Sequence, residues 1–546
     1  MKVLHLLAAA SLLATGAKAP EVSNQTVVDA PAGKLRGTTQ DGLDVYKGIP
    51  FALPPVGKLR WRAPQPMPRW SGVRSAQQFG AACIQPEGKL STIYSPREPL
   101  PMSEDCLTLN IWAPAHAKNA PVMVWIHGGA LVTGSSREPL YDGAKLAKRG
   151  IVLVSINYRL GVLGWMAHPA LSAENDRHIS GNYGLMDQIA ALRWVKHNVA
   201  AFGGDPEKVT IAGESAGALS AIYLMESPAA RGLFQRAIVE SGYMIAMPRL
   251  RQPVFGMPSG EAVGALVQQA VHAKDIAAMR AIDPKTLTSA AAAAGFMPWG
   301  LVDGDLLPEQ MVTAFDQGKQ AHVPVLAGFN QGEIRSLRML APKPPASAAE
   351  YEKQIRARYG ELADAFLKLY PAQDYEESIL ETTRDALYAW TAERLARKQD
   401  SIGEKSYLYE FDHGYPAMDK AGLHAFHASE LPFVFGTFDG VGPHWPAIPD
   451  TTEQHDLSNA MIDYWSSFVK TGVPAAPGHP AWPTFGANRS FMHFTDAPHP
   501  QTELMPGMFE LNEEVMCRRR ATGKIAWPWN IGIVSSPLPP KAPGCD

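Results

Sequence analysis

Short, almost uninterrupted apolar runs recur through the middle of the chain, at residues 122–126, 151–156, 209–212, 237–239 and 323–327, with 407–411 as a further member. Runs of this length without polar alternation predict strands covered on both faces, as in a parallel sheet. Between them the period changes. Leu185, Ile189, Leu192, Val195 and Val199 recur at helical spacing and predict one apolar helix face, beginning after Gly181-Asn182 and stopping before Gly203-Gly204. Residues 461–469 predict another helix late in the chain. Alternation of this kind implies an α/β architecture, a mostly parallel central sheet flanked by helices. Nearer the N-terminus, Thr26-Val27-Val28 and Lys34-Leu35-Arg36-Gly37 predict short antiparallel strands at one edge. No repeat and no long low-complexity linker divides the text, so residues 20–546 read as a single domain. The alanine run at 290–294 reads as a helix end, the prolines at 342–345 as a surface loop, and those at 537–543 as a loose C-terminal tail.

The start of the chain departs from this pattern. Lys2 precedes an apolar stretch at residues 3–13 that is too short to span a bilayer, and small residues follow at 14–19. This predicts an export signal over residues 1–19, cut after Gly16, Ala17 or Ala19. No later segment is long and apolar enough to serve as a membrane anchor, which predicts a secreted or periplasmic protein. The 50 basic and 53 acidic residues leave a net charge of −3, which gives no electrostatic case for nucleic acid, although local patches of either sign are compatible with it. Four cysteines suit an oxidising compartment but allow three pairings. Cys83 with Cys106 and Cys517 with Cys545 is the most local choice. No C-x-x-C or close Cys/His cluster suggests a metal.

The segment that carries chemistry is Gly213-Glu214-Ser215-Ala216-Gly217, which follows a predicted strand and precedes a small, helix-compatible run. That is the strand–turn–helix setting of the G-x-S-x-G nucleophile elbow of the α/β-hydrolases. A sharp turn leaves no room beside the serine, so both flanks are glycine. The helix behind it offers free N–H groups to developing negative charge. His127-Gly128-Gly129-Ala130 follows another strand, and its N–H groups, at Gly129 and Ala130, join that of Ala216 as a predicted oxyanion hole. Such donors contribute about 3 kcal/mol each to transition-state stabilisation.

A serine nucleophile needs a base, and the base an acid, in the chain order serine, acid, histidine. Asp303, Asp305 and Glu333 are the acid candidates. Glu333 stands in a loop after a predicted strand, whereas the two aspartates sit in a turn and read as solvated. His413, His424, His427, His444 and His455 all follow, and residue types alone do not choose among them. His424, His427 and Glu430 imitate a spaced metal set but lack the H-E-x-x-H pattern.

Longer blocks narrow the choice. Tyr46-Lys47-Gly48-Ile49-Pro50-Phe51-Ala52 with Leu59-Arg60-Trp61, Ser103-Glu104-Asp105-Cys106-Leu107-Thr108-Leu109-Asn110-Ile111-Trp112, and Gly181-Asn182-Tyr183-Gly184-Leu185-Met186-Asp187-Gln188 lead in order to the elbow, with Phe202-Gly203-Gly204-Asp205-Pro206 directly before it. From about Gly33 to about Phe485 the chain resembles the type-B carboxylesterase family, which includes the cholinesterases. The resemblance implies an α/β-hydrolase fold with loop and helical insertions over the active site. It also implies Glu333 and His427 as the partners of Ser215, and supporting roles for Gly128, Glu214, Ser241 and Glu430. Cys83 and Cys106 match a family disulfide. It further implies a secreted serine carboxylesterase acting on a small-molecule ester through an acyl-enzyme, without metal or organic cofactor. Two departures stand out: Ala130 where a third glycine is usual, and Leu131 where an aromatic residue is common. The cholinesterase tryptophan for quaternary ammonium has no clear counterpart, Tyr94 being nearest. A silent adhesion ectodomain of the same fold would be expected to lack one of the three residues. A lactonase or amidase is the chemically closer alternative.

Overall fold

The computed structural model describes residues 24–87, 92–527 and 531–545. The predicted export signal, residues 1–19, lies outside them. The framework is one 13-stranded sheet. We label its principal strands β1 (Asn24–Ala30), β2 (Gly33–Gln40), β3 (Leu43–Pro50), β4 (Thr108–Pro114), β5 (Ala120–Ile126), β6 (Val152–Ile156), β7 (Gly204–Glu214), β8 (Arg236–Glu240), β9 (Val325–Asn330), β10 (Ser406–Phe411), β11 (Ser490–Phe494) and β12 (Pro498–Thr502). They lie in the order β1-β2-β3-β4-β6-β5-β7-β8-β9-β10-β11-β12, with a short strand at Val73–Ser75 beside β2. The first four strands and the last pair are antiparallel to their neighbours. Every ladder from β6 to β11 is parallel.

The near-continuous apolar runs follow from this arrangement, because both faces of the parallel region are covered. Along β5, Val122, Val124 and Ile126 join one buried cluster, and Met123 and Trp125 join the other. In β6 the split repeats, with Val152, Val154 and Ile156 against Leu153. The two-residue period is thus present, but both of its phases are hydrophobic.

Principal helices are α1 (Tyr183–Asn198), α2 (Ala216–Glu226), α3 (Ala348–Tyr359), α4 (Tyr375–Arg384), α5 (Trp390–Ser401), α6 (Thr452–Thr471) and α7 (Met508–Thr522). Helix α1 has the predicted bounds: Asn182 precedes it in left-handed conformation, and after a 3-10 turn Gly203 stops the chain at φ 82°. The helix predicted over 461–469 is the second half of α6. Between α4 and α5 the chain widens into a π-turn at Asp385–Ala389, a distortion that recurs at functional sites. Helices α3, α4 and α7 enclose a smaller third core around Tyr351, Phe366 and Val515.

The C-terminal segment is where expectation and structure part. Its prolines predict a loose tail, yet Cys545 is joined to Cys517 of α7. Ile533 enters the third core. Gly532 donates its N–H to Tyr359 at 2.8 Å, and Leu538 donates to the Arg358 carbonyl at 2.7 Å. The proline pattern marks the lack of regular structure correctly, but a covalent tie and a few apolar anchors hold irregular chain just as firmly. A second disulfide joins Cys83 and Cys106. Among the described residues no helix is long and apolar enough to cross a membrane.

Candidate active site

The ends of parallel strands β5, β7, β8 and β9 converge on Ser215, which stands between β7 and α2 with φ 56° and ψ −119°. Sterics require its two glycines. A Cβ on Gly217 would lie 2.0 Å from the Ile126 carbonyl oxygen, and one on Gly213 would lie 2.5 Å from the Gly217 carbonyl carbon. The colliding atoms are backbone, so no side-chain shift can relieve them. The Glu240 carbonyl at the end of β8 accepts the Ser215 N–H at 2.9 Å and fixes the turn.

The loop after β5 lies against this turn. A Cβ on Gly128 would sit 3.3 Å from the Ser215 Cβ, so the backbone approaches Ser215 as closely as glycine permits. Gly129, Ala130 and Leu131 all have positive φ, at 99°, 56° and 61°. Positive φ costs an alanine or leucine about 1–2 kcal/mol, a strain carried here beside the site. The loop is anchored from behind: Tyr158 donates its hydroxyl to the His127 carbonyl at 2.9 Å and stacks on the His127 ring. Burial pushes that imidazole down to about 4, with a bond to the Gly128 carbonyl opposing it, so it is neutral at physiological pH. Among the described residues, no acceptor takes the N–H of Gly129, Ala130 or Ala216.

The structure brings Glu333 and His427 together and gives the other candidates other partners or an exposed position. Glu333, wholly buried after β9, lies 2.5 Å through Oε2 from His427 Nδ1. Its Oε1 accepts the Ser241 hydroxyl at 2.6 Å and the Asn330 N–H at 2.9 Å. The two loops are tied by a bridge between Gly332 and Phe426 and by Asn330 Nδ2 donating to the Phe426 carbonyl. Asp303 instead accepts the N–H groups of Asp305 and Leu307 and the Asn182 side-chain amide, and is half-buried rather than solvated. Asp305 pairs with Arg177. His413 bonds Gln454, His455 bonds Asp450, and His424 lies between Asp412 and Asp419. His444 is exposed.

The electrostatics around His427 are dominated by buried acids. Its Nε2 lies 3.0 Å from Glu214 Oε1. Burial works against charge on the imidazole, but the carboxylates of Glu214 and Glu333 outweigh it and push the group up to about 9. Glu214 is itself pushed up to about 7, by burial first, with His427 opposing and Glu333 adding. Glu430 bonds Asn330 Nδ2 and is raised well above the carboxylate range by burial and by Glu214, Glu240 and Glu333. Tyr94, considered above for a cation, donates its hydroxyl to the His427 carbonyl at 2.9 Å and also bonds Ser336.

Three residues near the site escape sequence reasoning. Glu240, whose carbonyl holds Ser215, is buried and accepts the Trp465 indole N–H at 2.7 Å. Tyr388, in the π-turn, packs its ring 5.4 Å from the His427 ring, and Tyr243 meets Tyr388 edge-on at 6.0 Å. The position of Glu240 directly before Ser241 was the one available signal. The two tyrosines gave none, since one depends on a π-turn and the other on a long-range contact.

Comparison with known proteins adds an independent line. The sequence profile described as the carboxylesterase family matches residues 24–508. The para-nitrobenzyl esterase of Bacillus subtilis is 37% identical over 472 residues, covering 84% of this chain and 92% of its own. The fumonisin B1 esterase of Sphingopyxis macrogoltabida is 35% identical over 504 residues, covering 88% and 89%. A solved PNB esterase superposes with a TM-score of 0.77 at 34% identity, covering 89% of this chain and 99% of that one.

Proposed function

The chain belongs to the carboxylesterase family and is a carboxylic ester hydrolase, and from that premise we propose a secreted serine esterase working through Ser215, His427 and Glu333 by way of an acyl-enzyme. The observation that carries the reading is His427, buried and gripped at Nδ1 by Glu333 beside an elbow that presents Ser215. His427 Nε2 removes the Ser215 hydroxyl proton as Oγ attacks the ester carbonyl carbon. The oxyanion takes the free N–H groups of Gly129, Ala130 and Ala216. The alcohol leaves with the proton from Nε2, and water repeats the sequence to release the acid and restore the serine. Glu333 holds the imidazole tautomer and stabilises its charged form, with Ser241 orienting Glu333. Glu214, in contact with Nε2, favours the charged imidazole and so stabilises the imidazolium that forms as Ser215 gives up its proton. Gly128 allows the close approach, and Glu430 steadies the loop between acid and base through Asn330.

In the same reading residues 1–19 are an export signal and 20–546 form one α/β-hydrolase domain. Two disulfides accord with an oxidising destination. Ser215→Ala should lower hydrolysis of p-nitrophenyl butanoate by about 10⁴-fold or more while leaving the thermal unfolding transition in place. Wild-type turnover by that variant would sink the assignment. In the wild type, a fluorophosphonate should add its mass to the peptide bearing Ser215.

A further inference from the structure

The mechanism uses neither Tyr243 nor Tyr388, and both are more than nine-tenths buried, at 7% and 3% exposure. A buried hydroxyl normally has a partner, because leaving one unmade costs about 1–3 kcal/mol. Neither hydroxyl bonds any described residue, and neither is among the polar atoms sealed off by packing. Each hydroxyl oxygen is therefore accessible. Both phenols stay protonated at neutral pH: burial raises Tyr243, with Glu214 adding, and burial raises Tyr388, with Glu333, Tyr243 and Glu214 adding.

The place of the pair is set by ring contacts. Tyr388 lies against the His427 ring, and Tyr243 against Tyr388. The pair thus lies beside the general base. The carboxyls of Glu333 and Glu214, both of which act on these phenols, disfavour an anion there, and two neutral donors favour an uncharged oxygen.

We propose that Tyr243 and Tyr388 form a paired-phenol recognition site for a neutral oxygen, a hydroxyl or a ketone, carried by the ester near its reacting carbonyl. The proposal rests on the esterase reading above and names the class of substrate for that site. The oxygen could belong to the acid or to the alcohol part, and matched esters separate the two. One arm compares p-nitrophenyl 3-hydroxybutanoate with p-nitrophenyl butanoate. The other compares 2-hydroxypropyl butanoate with propyl butanoate.

The wild type should favour the oxygenated ester in one arm by about fivefold or more in kcat/KM, the scale of a neutral hydrogen bond. Tyr388→Phe and Tyr243→Phe keep the rings and remove the hydroxyls, so each should bring that ratio towards one. The ratio is a readout that loss of packing alone would not move. Parity in both arms for the wild type, or a preference unchanged in both phenylalanine variants, overturns the proposal. If Ser215→Ala abolishes hydrolysis of every ester while those ratios stay unchanged, this inference falls and the esterase reading stands.

Discussion

The two sides of the His427 ring are built on opposite principles. At Nδ1, every contact is fixed: Glu333 is wholly buried, its Oε2 meets the ring, and its Oε1 accepts both Ser241 and Asn330. At Nε2, little is closed. Glu214 stands at 3.0 Å, and among the described residues the backbone N–H groups of Gly129, Ala130 and Ala216 have no acceptor and the hydroxyls of Tyr243 and Tyr388 no partner. The closed side resembles an ordinary protein interior, where polar groups are satisfied. The open side is left for a ligand to complete. Catalysis requires both, since fixed groups need no rearrangement when charge develops, whereas recognition requires groups still free to bond.

The sharpest way to break this contrast is on the closed side. Glu333→Gln keeps shape but replaces the carboxylate that faces Nδ1, removing the charge that stabilises the imidazolium and allowing the wrong tautomer. We expect kcat to fall by about 10³–10⁴-fold with a small change in KM, measured on p-nitrophenyl butanoate. A loss below tenfold would mean that the grip on Nδ1 contributes little. The next effect, on the open side, is in pH dependence. Glu214 raises the imidazole, so Glu214→Gln should lower the His427 pKa and keep the base form available at lower pH. The acid limb of the kcat/KM profile should then move to lower pH. An unmoved limb would show that Glu214 does not face the charge on Nε2 in the working enzyme.

The same contrast explains what could be read from the residues. The elbow was legible because steric constraint is local: Gly213 and Gly217 are glycine for a backbone collision a few residues away in space. The parallel strands were legible because burial on both faces leaves an unbroken apolar run. Glu333 and His427 were only candidates from residue types and chain order, and longer family-like blocks singled them out. Their meeting at 2.5 Å depends on a loop bridge between Gly332 and Phe426, which no local pattern encodes. The contact between His427 and Glu214, the π-turn that brings Tyr388 to the ring, and the clasp on the C-terminal tail were illegible for the same reason. Each is a long-range pairing between segments whose own text looks ordinary.

The smallest expected effect lies where the open side carries strain. Ala130 has φ 56° in the loop after β5, and it is exposed beside the candidate site. Ala130→Gly removes the left-handed penalty, about 1–2 kcal/mol, but adds freedom to the unfolded chain, at about 0.4–1 kcal/mol. The first offsets or outweighs the second, so stability should rise by between zero and about 1.6 kcal/mol, read by urea unfolding. The N–H donor is retained, so hydrolysis of p-nitrophenyl acetate should persist. Loss of the methyl widens the mouth, and kcat/KM for a branched-chain ester should rise relative to the acetate by about two- to fivefold, the scale of one methyl contact. If the relative rate for the branched ester falls instead, the alanine is shaping the loop rather than restricting the mouth, and the open side is less open than its unpaired groups suggest.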